Sequence, residues 1–185
     1  VSQDDLSWSV LDEFAEVEVY DRTSAEDVVK RCKGAEMVLT NKVVLDSFTL
    51  NQLPRLMYIG VLATGYNVVD LKAAEKQSIV VTNIPAYSTK SVAQMVFSHL
   101  LNIVSMVGKY AESNREGEWT RSEDFCYLRH TLFELSGKRF GIVGLGNIGM
   151  EVAKIANAFD MEVLAYTSKT DDLPYGIRRV SLDEL

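Results

Sequence analysis

Residues 139–149 read Arg-Phe-Gly-Ile-Val-Gly-Leu-Gly-Asn-Ile-Gly, and three of those glycines have the spacing to admit a pyrophosphate. A β-rich stretch (Phe140, Ile142, Val143) leads into Gly144-x-Gly146-x-x-Gly149, and apolar residues at helical spacing follow at once (Val152, Ala153, Ile155, Ala156, Phe159). Strand, glycine turn and helix form the context in which this pattern binds a dinucleotide. Gly144 is expected to permit the tight turn, Gly146 to let backbone approach the phosphates, and Gly149 to let helix and strand pack closely. The helix start at Asn147 and Ile148 then offers free N–H groups and the positive end of a dipole. The competing reading is a glycine-rich turn that binds nothing.

A second chemical signal lies about 20 residues on, where an acidic side chain ordinarily accepts the ribose hydroxyls of NAD and repels a 2′-phosphate. The sequence there is Tyr166-Thr167-Ser168-Lys169. Two hydroxyls and a cation, with no carboxylate among them, suit a 2′-phosphate. Asp171 and Asp172 follow closely and are able to bend back and restore NAD binding. The cofactor is therefore expected to be NAD or NADP, with NADP(H) tolerated, unless this is an exposed loop without preference.

Other chemistries find little support. The 185 residues are 47% hydrophobic and 24% charged, with a net charge of −7. No basic run offers an electrostatic footprint for nucleic acid, and the longest apolar helical stretch is interrupted by His99, Asn102 and Ser105, well short of a membrane span. Val1–Asp5 is polar and acidic without a signal-peptide pattern. Cys32 and Cys126 have no metal-ligand or CxxC spacing. No metal site is expected, and the setting is expected to be cytoplasmic. Cys126, flanked by Phe125 and Tyr127, is expected to be a packed thiol.

The elements that must position these residues alternate between helix and strand. Ser7–Phe14 reads as helix, Val17–Tyr20 as strand, and Thr23-x-x-Glu26 as a capping box for a helix through Cys32, closed by Gly34. Met37–Thr40 is an apolar strand and Leu45–Leu53 a helix stopped by Pro54. Leu56–Ala63 is a nearly unbroken apolar strand, which points to burial on both faces and a parallel sheet. Val69–Gln77 reads as helix and Ile79–Thr82 as strand. Between Leu56–Ala63 and the following helix, the amides around Gly65 suit either an anion-binding concavity or a simple strand-to-helix turn. Ser91-x-x-Gln94 offers a second capping box for one long helix, with apolar residues at 92, 95, 96, 100, 103, 104 and 107, running towards Gly117. That helix is read as a bridge between two domains. Trp119–Leu135 is irregular and aromatic, and Met161–Tyr166 is the second strand of the nucleotide unit. The fold class is α/β with doubly wound parallel sheets.

Three blocks carry a resemblance. They are Gly60-Val-Leu-Ala-Thr-Gly-Tyr-Asn-Val-Val-Asp70, Asn83-Ile-Pro-Ala-Tyr-Ser-Thr-Lys-Ser-Val-Ala-Gln-Met95 and Leu135-Ser-Gly-Lys-Arg-Phe-Gly-Ile-Val-Gly-Leu-Gly-Asn-Ile-Gly149. In order and spacing they resemble the D-isomer-specific 2-hydroxyacid dehydrogenases, and in wording the glycerate dehydrogenase (hydroxypyruvate reductase) branch. The resemblance implies a flavodoxin-like substrate domain over 1–90, a long inter-domain helix over 91–117 and the first part of a Rossmann domain over 118–185. It also implies hydride transfer between a nicotinamide and a small 2-hydroxy or 2-keto acid in the cleft between the domains. The backbone N–H groups of Thr64 and Gly65 would hold the substrate carboxylate. A homodimer through the nucleotide domain is implied, with Trp119–Leu135 the candidate for part of its interface. No nucleic-acid or membrane partner is expected.

The same resemblance sets the catalytic arginine, glutamate and histidine beyond the point matching Leu185, and a first strand ahead of Leu6–Phe14. The chain is accordingly expected to be a trimmed and truncated piece, inactive alone, within an enzyme that is active when intact. His99 is expected to be a core or interface imidazole and His130 to sit away from acid–base chemistry. Two alternatives stay open: a non-catalytic NAD(H)-binding sensor or scaffold on the same fold, and a formate- or phosphonate-oxidising relative.

Overall fold

The computed structural model describes residues 7–185, which divide into two compact units between Pro85 and Ala86. In the first unit the apolar runs become three parallel strands: β1 (Met37–Thr40), β2 (Tyr58–Val61) and β3 (Val80–Asn83), adjacent in chain order. Helices α1 (Val28–Cys32), α2 (Ser47–Leu50) and α3 (Leu71–Lys76) connect or precede them. Ile59, Gly60 and Val61 of the central strand are all buried, as expected of a strand covered on both faces. Its neighbours in the core are Leu45, Leu50, Leu53, Val69 and Ala74.

Two aspartates start α2 and α3 of this unit. The Asp46 carboxylate accepts from Thr49 N–H at 2.8 Å and that of Asp70 from Ala73 N–H at 3.0 Å, each taking up an otherwise orphaned donor of the first turn. The expected Thr23/Glu26 box does not form. The Thr23 hydroxyl instead accepts from Arg31 Nη1 at 2.9 Å, and α1 begins only at Val28. Val17–Tyr20 is not a strand. The Arg31 guanidinium lies 4.4 Å from the centroid of the Tyr20 ring, so side chains rather than a ladder hold this segment. Ser9–Glu13 is a short 3₁₀ helix where a longer helix was expected.

The second unit contains α4 (Thr89–Ser105), α5 (Val107–Arg115), β4 (Arg139–Val143), α6 (Asn147–Ala158), β5 (Glu162–Tyr166) and β6 (Arg178–Arg179). Its strands are again parallel and in chain order. The expected single long helix is two. Met106 takes a left-handed conformation (φ 48°), and the helices on either side meet at 56°. No capping box forms at Ser91, which lies inside the first turn of a helix that starts at Thr89.

The buried stripe of α4 also differs from the expected one. Ala93 and Phe97 are buried and Val96, Leu100, Leu101 and Val104 pack beside them, while Val92, Met95 and Ile103 face outwards. The cause is close approach: Ala93, Ala153 and Ala156 have no exposed surface, and the small side chains let α4 and α6 pack together. The Phe97 ring stacks with Phe140 at 5.8 Å and Phe159 at 5.5 Å. No single helix among the described residues is long and apolar enough to cross a membrane.

Trp119–Leu135 is irregular, as expected, and a polar network ties it to α5. Ser113 Oγ, which is buried, meets Tyr127 OH at 2.9 Å and bonds Glu118, which pairs with Arg129. Cys126 is exposed, not packed, because its neighbours turn their rings elsewhere: Phe125 is 91% exposed.

Candidate functional site

The glycine turn of the second unit is built as its sequence demands. β4 ends at Val143, and Gly144 (φ 90°) reverses direction in a conformation that side chains resist. Its N–H donates to Tyr166 O at 2.9 Å, which fastens the turn to β5. Leu145 drops into the core and Gly146 becomes the N-cap of α6, with no side chain capping it. The first N–H groups of that helix therefore have no side-chain acceptor at its mouth. Asn147 and Ile148 are exposed.

The other two glycines divide the remaining work. A Cβ on Gly149 would stand 2.3 Å from Gly144 O, so helix and turn touch through bare backbone. A Cβ on Gly146 would meet nothing within 4 Å, leaving open space before the helix start. Close packing behind and open space in front are what a pyrophosphate seated on a helix N-terminus requires.

Thr167, Ser168 and Lys169 follow β5 in an exposed loop, beside the turn that β5 fastens. Lys169 N–H donates to Thr167 Oγ1 at 3.3 Å, which curls the loop on itself. Sequence reasoning missed Arg179. Its backbone pairs with β5 at Ala165, and its Nη2 donates to Asp171 O at 2.6 Å, so a second cation reaches this loop. The two-residue strand β6 that brings it there is too short to read from periodicity.

In the first unit, Thr64 and Gly65 lie in the exposed loop that follows the carboxyl end of β2. Ligands of open α/β sheets bind outside that end of the strands. The Thr64 hydroxyl donates to Ile84 O at 3.0 Å, and among the described residues no protein acceptor takes the N–H of Thr64 or of Gly65. Asn41 and Asn83, at the ends of the flanking strands, also bond this loop; the signal that would have found them is their position at the carboxyl edge.

The histidines stand apart from this chemistry. His99 is on the exposed side of α4 rather than in the core, and the His130 ring stands edge-on to Tyr110 at 6.0 Å, with the His130 backbone N–H donating to Tyr110 OH at 3.2 Å. Among the described residues no three His, Cys, Asp or Glu side chains gather as a metal site.

Comparison with known proteins supplies a context for this geometry. The family model for the D-isomer specific 2-hydroxyacid dehydrogenase catalytic domain matches residues 2–172. A hydroxypyruvate reductase of Blautia hydrogenotrophica is 43% identical over 186 residues, covering 98% of this chain and 58% of that protein. The D-lactate dehydrogenase of Aquifex aeolicus, solved with NAD and lactic acid, is similar at a TM-score of 0.68 and 30% identity, over 84% of this chain and 46% of that one. An acyclic imino acid reductase solved with NADPH and D-Arg gives a TM-score of 0.80 at 27% identity, over 97% and 57%. The chain thus spans about half the length of the proteins it matches.

Proposed function

The chain belongs to the D-isomer specific 2-hydroxyacid dehydrogenase family, and from that premise we propose that the whole protein interconverts a D-2-hydroxy acid and a 2-keto acid of the glycerate/hydroxypyruvate kind. The observation that carries this reading is the glycine turn: Gly149 in backbone contact, Gly146 open, and an uncapped helix start between them. These residues fit a nicotinamide dinucleotide, and its N–H ligands would come from Asn147 and Ile148. When bound, such a cofactor supplies hydride exchange between its nicotinamide C4 and the carbonyl carbon of the keto acid, a proton completing the alcohol.

The chain's own residues bind and orient. In this reading the first unit is the substrate unit, where the amides of Thr64 and Gly65 accept the carboxylate as an anion-binding concavity. The second unit, α4 included, is the first part of a dinucleotide domain. Thr167, Ser168 and Lys169, with Arg179 beside them, favour acceptance of NADP(H): neutral donors and two cations face the loop without an acidic residue at position 167. Phe125, Leu128 and Phe133, at 91%, 79% and 58% exposed, make the segment 119–135 the proposed contact of a homodimer. A cytoplasmic setting completes the proposal, with Cys32 and Cys126 as free thiols.

The test is turnover by the full-length protein, followed as oxidation of NADH or NADPH with hydroxypyruvate. Turnover of hydroxypyruvate supports the assignment. A protein that binds the dinucleotide but reduces neither hydroxypyruvate nor glyoxylate overturns the proposal.

A further inference from the structure

Three consecutive peptide units of the loop after β2 are held by their carbonyl oxygens. Asn41 Nδ2 donates to Leu62 O at 3.0 Å, Ile84 N–H to Ala63 O at 3.1 Å, and Asn83 Nδ2 to Thr64 O at 2.8 Å. A trans peptide is planar, with its C=O and N–H pointing in opposite directions. Holding a carbonyl therefore aims the N–H of the next residue.

The direction of each anchor is given by the sheet. β1 and β3 flank β2, Asn41 follows β1, Asn83 ends β3 and Ile84 follows it. The Leu62 carbonyl is drawn towards β1 and the Ala63 carbonyl towards β3, which is ordinary strand alternation. The Thr64 carbonyl breaks the alternation, because the Asn83 side chain draws it towards β3 as well. Two successive carbonyls then face one side, and the N–H groups of Thr64 and Gly65 both face the other. Successive amides turned the same way make an anion-binding concavity, which alternation would have split.

We propose that Asn83 is a positioning residue for substrate: through the Thr64 carbonyl it turns the Gly65 amide to join that of Thr64 on one carboxylate. The inference rests on the reading of Thr64 and Gly65 as the carboxylate site. Asn41 serves as its internal control, since it aims the Ala63 N–H the other way. The half-buried Asn83 amide has no need to touch substrate.

The carboxylate is not the reacting group, so losing its alignment weakens ground state and transition state alike and acts on KM. In the full-length protein, Asn83→Leu removes the donor at similar size and is expected to raise KM for hydroxypyruvate about tenfold. The change in kcat is expected to be smaller, and the Kd for NADH, bound by the other unit, to stay as in wild type. Asn83→Ser is the second variant should leucine prevent folding. Asn41→Ala is expected to shift KM by less than about threefold. An unchanged KM in the Asn83 variants overturns the proposal, as does an equal rise in the Asn41 and Asn83 variants or a parallel loss of NADH affinity. Wild type is assayed with glycolaldehyde, which is hydroxypyruvate without its carboxylate. Equal turnover of the two would refute the carboxylate reading itself; preference for hydroxypyruvate with an indifferent Asn83 variant refutes the positioning role alone.

Discussion

Alanine at Gly146 and alanine at Gly149 should separate binding from packing. At Gly149 the new Cβ would lie 2.3 Å from Gly144 O, 3.3 Å from the Gly144 carbonyl carbon and 3.4 Å from Ile142 Cγ2. Heavy-atom contacts relax only at about 3.5 Å, so α6 must withdraw from the turn by roughly 1 Å. Overpacking of this kind costs about 1–3 kcal/mol, and the helix preference of alanine over glycine offsets at most about 1 kcal/mol. Gly149→Ala should therefore lose up to about 2 kcal/mol of stability, and it should weaken the dinucleotide by moving the helix start away. At Gly146 the new Cβ meets nothing within 4 Å and the backbone (φ −78°, ψ −161°) suits any residue. Gly146→Ala should then be as stable as wild type or more stable by up to about 1 kcal/mol. Its methyl group nevertheless stands in the open space before the helix, and the Kd for NADH should rise about tenfold or more. Urea denaturation and NADH fluorescence titration of the full-length protein read the two effects separately. A Gly146→Ala protein with wild-type affinity for NADH and NADPH refutes the seating of the pyrophosphate on this turn.

The cofactor loop, the helix starts and the acid limb of stability each give a further test. Thr167→Asp should weaken NADPH at least tenfold relative to NADH, by placing a carboxylate where a 2′-phosphate would lie; parallel titrations check this, and wild type binding NADH a hundredfold more tightly than NADPH would defeat NADP(H) tolerance. Raising salt from low to physiological ionic strength should weaken NADPH more than NADH, because only the extra phosphate relies on the exposed cations of Lys169 and Arg179. Asp70→Ala should lower stability by about 1 kcal/mol through loss of the cap on Ala73 N–H, measured by urea midpoint. Hydrogen bonds from Thr49 hold the Asp46 carboxyl below the usual carboxylate range. Its contribution is thus complete above that range and is lost as pH falls below it and the carboxylate is protonated, so Asp46→Ala should lower Tm at pH 7 and approach wild type in strong acid.

Much of the fold was legible because its signals are local. The run Phe140–Val143, three glycines and an apolar helix specify β4, the turn and α6 within 20 residues, and the structure adds only the 2.3 Å contact that explains Gly149. The strands at Met37, Tyr58 and Val80 were legible for the same reason: short branched runs bounded by helices. What failed was whatever depended on a partner elsewhere. Val17–Tyr20 has a strand's composition, but Arg31 engages Tyr20 and Thr23 and decides its conformation. The stripe of α4 was drawn through its largest residues, whereas Ala93 sits at the contact because α6 presents alanines to it. Met106 breaks the helix with no local glycine at the left-handed position. Asn41 and Asn83 were not legible as anchors of the loop after β2 because their bonds join positions 21 and 19 residues apart.

A net charge of −7 sets a problem that the candidate sites answer in one way. The proposed ligands, a carboxylate and a pyrophosphate, are anions, and the negative charge of this chain opposes them at long range. Physiological salt screens such repulsion beyond about 8 Å, so short-range donors decide binding. In the proposed reading the donors that this chain brings to both sites are backbone amides, which stay oriented whatever the surrounding charge. The amides of Thr64 and Gly65 are aimed by bonds to the carbonyls before them, and those of Asn147 and Ile148 by the helix they begin. An amide cannot reorient alone, since its plane moves only with its neighbours. Within this chain the proposed reading therefore gives most weight to residues that fix planes, Asn83 in one unit and Gly149 in the other, neither of which needs to reach the ligand. Lys169 and Arg179 are the charged side chains that this chain brings to the proposed cofactor loop, where the two cofactors differ by one phosphate and a cation would serve discrimination rather than affinity for the part they share.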